Sequence, residues 1–159
     1  MKLIMSQAIL SVNHKVNMEG EDGKTAYTVK TGPLSLRDKT VIETAKGSEV
    51  ATITKKLISK HEVHFIELAH GKTLRLSDKA IDVGLEDFVI DGNDWSVKGK
   101  LADHEYKIRN KEGKTAAEIH KKLLSVRDKY IIEIQDEKNA DMIVAIVIAM
   151  EHLIRDRKK

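Results

Sequence analysis

The chain of 159 residues contains no cysteine, a single proline and few aromatic side chains. The lack of cysteine excludes disulfide bonds, zinc sites built from thiolates and cysteine nucleophiles. Because aromatic residues make up only 4% of the chain, any core must be aliphatic. With 41% hydrophobic and 33% charged residues, the chain is neither disordered nor proline-rich. We therefore expect one domain over residues 1–159, large enough to bury a core of its own.

Long apolar runs are absent as well. The longest, Met142 to Met150, has nine residues, whereas a helix needs about 20 to span a bilayer. Near the amino terminus, Ser6 and Gln7 interrupt the apolar stretch, so no secretory signal is predicted. The 28 Lys and Arg nearly balance the 25 Asp and Glu, and the two signs alternate along most of the chain. These features predict a cytoplasmic protein with no transmembrane segment, and they do not favour nucleic-acid binding.

The sequence repeats itself. Gly23–Thr44 and Gly113–Ile134 align without gaps and are identical at 11 of 22 positions, and Gly47–Leu68 matches the last copy at 9 of 22. The shared core of the first pair is Leu-Ser-x-Arg-Asp-Lys. The turn glycines that begin the units recur every 21 to 24 residues, at Gly23, Gly47, Gly71, Gly92 and Gly113. Such self-similarity indicates one supersecondary unit used several times.

Each unit has the pattern of a turn, a strand, a break and a second strand. Counting both strands of each unit and an amino-terminal pair gives about twelve short strands, which is typical of an antiparallel sandwich or barrel. The carboxyl-terminal segment 139–155 is different, because it begins with cap residues, is apolar on every face and ends in basic residues. A helix of this kind must be buried on all sides, and the interior of a closed barrel would bury it.

Six segments carry a resemblance to a known family. They are Leu34–Lys39, Ala51–Lys56, Asp94–Gly99, Asp103–Ile108, Ala117–Lys122 and Val144–Ala149. Through them, and over nearly the whole chain, the sequence resembles the LURP-one-related proteins of bacteria and plants, which share the Tubby C-terminal-like fold with phospholipid scramblases. The resemblance implies a mainly β fold, a twelve-stranded antiparallel β-barrel closed around a central hydrophobic C-terminal α-helix.

The resemblance also implies a class of ligand. Tubby domains bind phosphoinositide head groups through basic residues on the barrel surface, and scramblases move lipids between leaflets in a calcium-dependent way. Bacterial LURP-one-related proteins largely lack an established activity. The present chain has neither the cysteine cluster nor the proline-rich amino-terminal segment of scramblases. We therefore do not expect this chain to scramble lipids. The ligand class that the resemblance still implies is the lipid head group.

Gly-Lys-Thr occurs three times, beginning at Gly23, Gly71 and Gly113. A phosphate-binding P-loop needs another glycine five residues earlier, and methionine or isoleucine occupies those positions. All three copies fall at the same phase of the repeat. They are therefore predicted to be hairpin turns in which glycine supplies a positive φ.

No catalytic or metal-binding motif is complete. His61 and His64 are one residue short of the zinc-protease spacing, and Asp91–Asp94 lacks the ligand pattern of a calcium loop. No Gly-x-Ser-x-Gly elbow occurs. We expect no catalytic residue, no metal and no cofactor, and hence not an enzyme. A metal site assembled from distant strands stays open as an alternative.

Basic residues at equivalent repeat positions provide the candidate binding site. They are Lys55, Lys56, Lys121, Lys122, Arg37 and Arg127. Equivalent positions of a barrel can meet at one rim, where each charge near an anionic lipid surface contributes about 1 kcal/mol. The competing interpretation is that charges at strand ends keep sheet edges from pairing.

These observations favour a non-enzymatic β-barrel that binds anionic phospholipid head groups peripherally. We therefore expect a cytoplasmic protein that also associates with the membrane surface. A protein-interaction scaffold without intrinsic activity is the alternative. A carrier of apolar ligands would require an empty lumen, which the carboxyl-terminal helix is predicted to fill.

Overall fold

A computed structural model of the chain describes residues 1–6, 15–32, 39–78, 87–122 and 129–157. It contains twelve β-strands and a carboxyl-terminal helix, α1, which spans Ala140–Arg157. In chain order the strands are β1 Lys2–Ser6, β2 Lys15–Gly20, β3 Thr25–Thr31, β4 Lys39–Thr44, β5 Glu49–Ile58, β6 His61–Leu68, β7 Thr73–Ser77, β8 Asp87–Val89, β9 Ser96–Lys100, β10 Glu105–Arg109, β11 Thr115–Lys122 and β12 Lys129–Ile134. Short 3₁₀ helices at Leu101–Asp103 and Glu137–Asn139 precede β10 and α1.

All twelve strands form one antiparallel sheet. Its order is β7-β6-β5-β4-β3-β2-β1-β12-β11-β10-β9-β8, so neighbours along the chain are neighbours in the sheet. The exception is the β1–β12 ladder, in which Leu3 pairs with Ile132 and which joins the two halves of the repeat. The prediction of twelve antiparallel strands with a carboxyl-terminal helix is therefore confirmed.

Closure of the barrel by hydrogen bonds is not confirmed. The edge strands β7 and β8 share no ladder in the described part of the chain. An isolated bridge links the two edges there, in which the backbone N–H of Arg75 donates to the carbonyl of Asp91 over 2.9 Å. Gly92, at φ +116, lies so close to β7 that a Cβ would be 2.5 Å from the Thr73 carbonyl. Among the described residues, one isolated bridge thus links the edges of the curved sheet.

The repeat glycines close hairpins as predicted. Between β4 and β5, Gly47 has a φ of +88° and its N–H donates to the Thr44 carbonyl over 2.9 Å. Gly23, Gly71 and Gly113 have positive φ at the corresponding turns. A side chain would be strained at this φ, which explains why glycine begins each unit of the repeat.

The helix α1 is buried on every face from Ile143 to Ile154. It begins one residue later and ends two residues beyond the predicted 139–155. Inward-facing side chains of the strands pack with it in one aliphatic cluster, for example Val29 from β3 and Val97 from β9. Burial on all sides stabilises this segment as a helix, although it is rich in β-branched residues.

Candidate functional site

The antiparallel order gives the sheet two distinct rims. Connections that follow even-numbered strands contain the repeat glycines, and we call this end the glycine rim. The other end, formed where odd-numbered strands end and even-numbered strands begin, is the lysine rim. Its exposed lysines in the described residues are Lys15, Lys39, Lys56, Lys60, Lys100, Lys122 and Lys129. Because α1 follows β12, it begins at the glycine rim and ends at the lysine rim.

The predicted lysine pairs lie at the same rim but on different parts of it. Lys55 and Lys56 lie near the end of β5, which Leu57 and Ile58 complete, and Lys121 and Lys122 end β11. Five strands lie between β5 and β11 in the sheet. The six spacings of about 4.8 Å each place the two strands about 29 Å apart along the sheet. The two pairs therefore do not form one compact patch. Arg37 and Arg127 lie outside the described residues.

Lys55 is held in an ion-pair cluster. Its Nζ lies 3.6 Å from Glu62 Oε1 and 3.4 Å from Asp156 Oδ2, and Arg155 Nε lies 3.2 Å from Asp156 Oδ1. Burial of Asp156 opposes its charge, but the hydrogen bond with Glu62 and the two cations hold its pKa below the ordinary value. Lys55 thus neutralises Asp156 at the end of α1 and Glu62 of β6, a role that the sequence did not reveal.

The hairpin between β5 and β6 ends in an apolar tip. Leu57 is 77% exposed and Ile58 is 37% exposed. Ser59 and Lys60 have φ of +49° and +68°, as in a tight two-residue hairpin turn. Lys56 lies with its Nζ 5.4 Å from the centre of the Phe65 ring on the outer face. This segment, Lys56–Lys60, is here called the hairpin tip.

A buried polar cluster lies at the lysine rim inside the sheet. His64 of β6 and His152 of α1 have ring centroids 6.0 Å apart, and His64 Nε2 is 3.2 Å from Glu62 Oε2. Burial, followed by the charges of Arg155, His64 and Lys55, lowers the pKa of His152 to about 3. The imidazole of His152 is therefore neutral at physiological pH. The only sign of this cluster in the sequence was that a histidine follows Glu151 in an otherwise apolar helix.

Glu151 itself forms a second buried cluster, on the side of β10. The hydroxyl of Tyr106 donates to Glu151 Oε2 over 2.9 Å, and His104 Nδ1 lies 2.5 Å from Oε1. Burial and the neighbouring carboxylate raise the pKa of the Tyr106 hydroxyl well above its ordinary value. All three side chains are buried, so the cluster fastens α1 to the sheet.

No helix among the described residues is long and apolar enough to cross a membrane. Among curated proteins, the chain is 26% identical over 153 residues to the uncharacterized protein YxjI of Bacillus subtilis (strain 168), covering 96% of this chain and 93% of that protein. Among solved structures, it is similar to the X-ray structure of the Arabidopsis thaliana protein AT5G01750, with a TM-score of 0.51, 14% identity and coverage of 92% and 89% of the two chains. At that identity the likeness shows the fold alone.

The family model described as LURP-one-related matches residues 1–151. This match extends over all twelve strands and most of α1, so it covers both halves of the repeat and most of the helix that follows them. The chain therefore belongs to the LURP-one-related family.

Proposed function

We propose that the protein has a non-catalytic role in which the lysine rim binds anionic lipid surfaces peripherally. The observation that carries the proposal is the hairpin tip, where the exposed side chains of Leu57 and Ile58 stand between Lys56 and Lys60. An apolar pair flanked by cations matches an interface that is apolar inside and anionic at its surface.

The hairpin tip supplies the apolar part of this interaction. Full burial of one leucine or isoleucine side chain contributes roughly 1.5–3 kcal/mol. Leu57 is the most exposed large hydrophobic residue of the described chain, and Ile58 adds to it. Two such side chains give weak, reversible membrane binding, so electrostatic attraction must supply the rest.

The rim supplies that attraction. In the described residues, seven exposed lysines lie at this rim together with two exposed aspartates, Asp87 and Asp103. Each lysine near an anionic surface contributes about 1 kcal/mol. At the glycine rim, by contrast, exposed lysines alternate with exposed acids, as in Lys46 and Glu49. Among the described residues, the excess of exposed positive charge thus lies at one end of the sheet.

One cross-strand pair supports the proposal of an anionic partner. Lys122 and Lys129 are directly opposite each other in the β11–β12 ladder, and both are exposed. Like charges in this position destabilise a sheet. Phosphate groups of lipids would neutralise both lysines. The pair would then have a role in binding, in addition to preventing sheet edges from pairing.

The test is co-sedimentation of the purified protein with phosphatidylcholine vesicles and with vesicles that also contain phosphatidylserine. We expect binding to the anionic vesicles only, weakening as salt rises. Leu57→Ser with Ile58→Ser, and separately Lys56→Glu with Lys60→Glu and Lys122→Glu, should each abolish it. Lys55 is left unchanged because its ion pairs with Glu62 and Asp156 would be lost.

The matched control changes the same charge at the other rim, with Lys46→Glu, Lys72→Glu and Lys111→Glu. It should bind anionic vesicles as the unchanged protein does, apart from the long-range effect of net charge. If the two triple variants lose binding equally, the lysine rim is not the site. If the unchanged protein binds neither vesicle, the lipid proposal fails and a protein-interaction scaffold is the better description.

A further inference from the structure

Three buried polar atoms that form no hydrogen bond belong to residues that line one cavity. They are Thr31 Oγ1, His64 Nδ1 and His152 Nε2, and in the described part of the chain no other buried side-chain nitrogen or oxygen lacks a partner. The cavity, of about 10 Å³, lies between α1 and strands β3 to β6. A buried polar atom without a partner destabilises the folded chain. Three such atoms beside one cavity indicate an occupant that supplies the missing hydrogen bonds.

The lining of the cavity is basic. Lys55 and Arg155 line it together with the two histidines, and no Asp or Glu among the described residues does so. Burial, and after it the charges of Arg155, His64 and Lys55, lowers the pKa of His152 to about 3. Positive surroundings that disfavour a proton also disfavour a metal cation, whereas they attract an anion. The charge of the lining therefore favours an anion as the occupant.

The polar atoms are suited to an anion as well. A threonine hydroxyl donates a hydrogen bond, and an imidazole donates from each nitrogen that bears a proton. The ring centroids of His64 and His152 are 6.0 Å apart, close enough for one ion to contact both rings. The cavity has room for about one water-sized occupant, which excludes an organic or polyatomic anion such as phosphate. A monatomic anion is the class that fits.

His64 requires that a proton accompany the anion. Its Nε2 lies 3.2 Å from Glu62 Oε2, a distance at which the ring donates to the carboxylate. A ring that donates to Glu62 from Nε2 and to an anion from Nδ1 bears both protons and is positively charged. The anion offsets this charge, which the surrounding cations would otherwise disfavour. Binding of one anion with one proton thus leaves the net charge of the cluster unchanged.

The remaining charges near His64 come from three elements. Strand β5, strand β6 and helix α1 contribute Lys55, Glu62, His152, Arg155 and Asp156. The two cations pair with the two carboxylates, and the lowered pKa keeps the His152 ring neutral. The lining residues of β3 and β4, Thr31 and Thr40, carry no charge. The proton that enters with the anion is therefore assigned to His64.

We propose that this cavity binds one chloride ion together with one proton, with Thr31 Oγ1, His64 Nδ1 and His152 Nε2 as hydrogen-bond donors. Lys55 and Arg155 lie beside the ion. The site joins the end of α1 to the β5–β6 hairpin, directly before the hairpin tip. It does not rest on the lipid proposal, because no residue of the hairpin tip lines the cavity.

The experiment compares melting temperatures of the purified protein in sodium chloride and in sodium gluconate at equal ionic strength. We expect a higher melting temperature in chloride, because the ion binds the folded chain. Uptake of one proton per ion makes the affinity for chloride increase by up to about tenfold for each pH unit by which the pH is lowered. Broadening of the chlorine-35 resonance measures this affinity directly from pH 8 to pH 6.

Nitrogen-15 spectra of the histidine rings follow the proton in the unchanged protein. They distinguish neutral rings from doubly protonated rings. Chloride, and not gluconate, should convert the His64 ring, identified by its proximity to the His152 ring, to the doubly protonated form. This measurement does not depend on the folding of any variant.

Two threonine variants of β3 locate the ion. Thr31→Val removes one donor at nearly constant size, and the affinity for chloride should fall by about tenfold. Thr28→Val is the matched control, because Thr28 is also buried on β3 but donates to Asn17 and does not line the cavity. Its affinity for chloride should equal that of the unchanged protein.

Three results would overturn the proposal. Equal affinity for chloride in Thr31→Val and Thr28→Val would show that the ion binds elsewhere. Affinity that does not change with pH, with a His64 ring that stays neutral, would show that no proton accompanies the ion. Equal melting temperatures in chloride and gluconate at every pH would show that the cavity holds only water.

Discussion

Glu151 in the middle of the buried helix has its Oε1 2.5 Å from His104 Nδ1, and both side chains are buried. His104 is in the left-handed region, with φ of +56°, at the turn between the 3₁₀ helix and β10. Its ring packs 4.9 Å from the Tyr130 ring, while the hydroxyl of Tyr106 donates to the second oxygen of Glu151. Two separate hydrogen bonds thus fix the helix at one depth and one rotation in the sheet.

Removing this carboxylate should be costly. Glu151→Leu leaves the buried polar atoms of His104 and Tyr106 without their partner, and we expect a loss of about 3–5 kcal/mol in the free energy of unfolding. Urea denaturation measures it. Glu133→Gln is the control, because Glu133 is about 40% exposed and lies 3.9 Å from Lys2, so its loss should be under about 1 kcal/mol. Equal losses in the two variants would contradict the assigned role.

A glycine that the repeat does not predict is also essential. At Gly99, φ is +146° and a Cβ would lie 2.4 Å from the Glu105 carbonyl and 2.7 Å from the Tyr106 Cα. Gly99→Ala should therefore destabilise the protein by more than about 2 kcal/mol, because backbone must move. Gly47→Ala, at φ +88° with open space around it, should cost only about 1 kcal/mol. Thermal unfolding of both variants measures the two losses of stability. A similar loss at Gly47 would show that the positive φ, and not the close backbone contact at Gly99, is responsible.

The free energy of unfolding should decrease as the pH is lowered, because His152 resists protonation in the folded protein. Its pKa is lowered to about 3 in the folded protein, first by burial and then by Arg155, His64 and Lys55, against about 6.5 in the unfolded chain. Between these values the unfolded state binds more protons. The contribution is therefore complete above pH 6.5 and is lost as pH falls toward 3, by about 1.4 kcal/mol per pH unit.

Urea denaturation from pH 7 to pH 4, in chloride-free buffer, tests this. His152→Gln has no proton to bind and should show a shallower decline, even though its stability at pH 7 is lower. The lowered pKa of Asp156 adds a further loss below about pH 4 that both proteins share. Parallel pH curves for the two proteins would show that His152 does not titrate as inferred.

The interior of the helix should reject charge. Ile146 is fully buried among aliphatic side chains, and Ile146→Asp places a carboxylate there with no partner. We expect the variant not to fold. Lys138→Asp, an exposed position in the 3₁₀ helix before α1, is the matched control and should fold normally. Circular dichroism and solubility distinguish them; a folded Ile146→Asp would contradict the packing described.

Much of the fold could be predicted from particular residues. Gly47 and its repeat equivalents marked the hairpins, because a positive φ is a local requirement that a sequence states directly. The run from Met142 to Met150 marked a helix buried on all sides, because no amphipathic surface could hold it. Closure of the sheet could not be predicted, since it depends on how closely the curved edges approach each other. In the described part of the chain, an isolated bridge between Arg75 and Asp91 links them.

The binding site was less accessible to sequence reasoning. Lys55 and Lys121 occupy equivalent repeat positions, but the sheet places five strands between them, so repetition in sequence did not mean proximity in space. The partner of Lys55, Asp156, is 101 residues away in the chain. His64 and His152 are likewise remote in sequence, and only the path of α1 brings their rings together.

The sequence by itself determined the secondary structure, the antiparallel repeat and the identity of the buried helix. These follow from turn geometry and apolar periodicity, which act over a few residues. The tertiary structure alone decided which lysines are exposed at the rim, which one is neutralised by Asp156, and which polar groups meet beside α1. Those outcomes depend on distances between segments far apart in the chain, and electrostatic and hydrogen-bond energies change steeply with such distances.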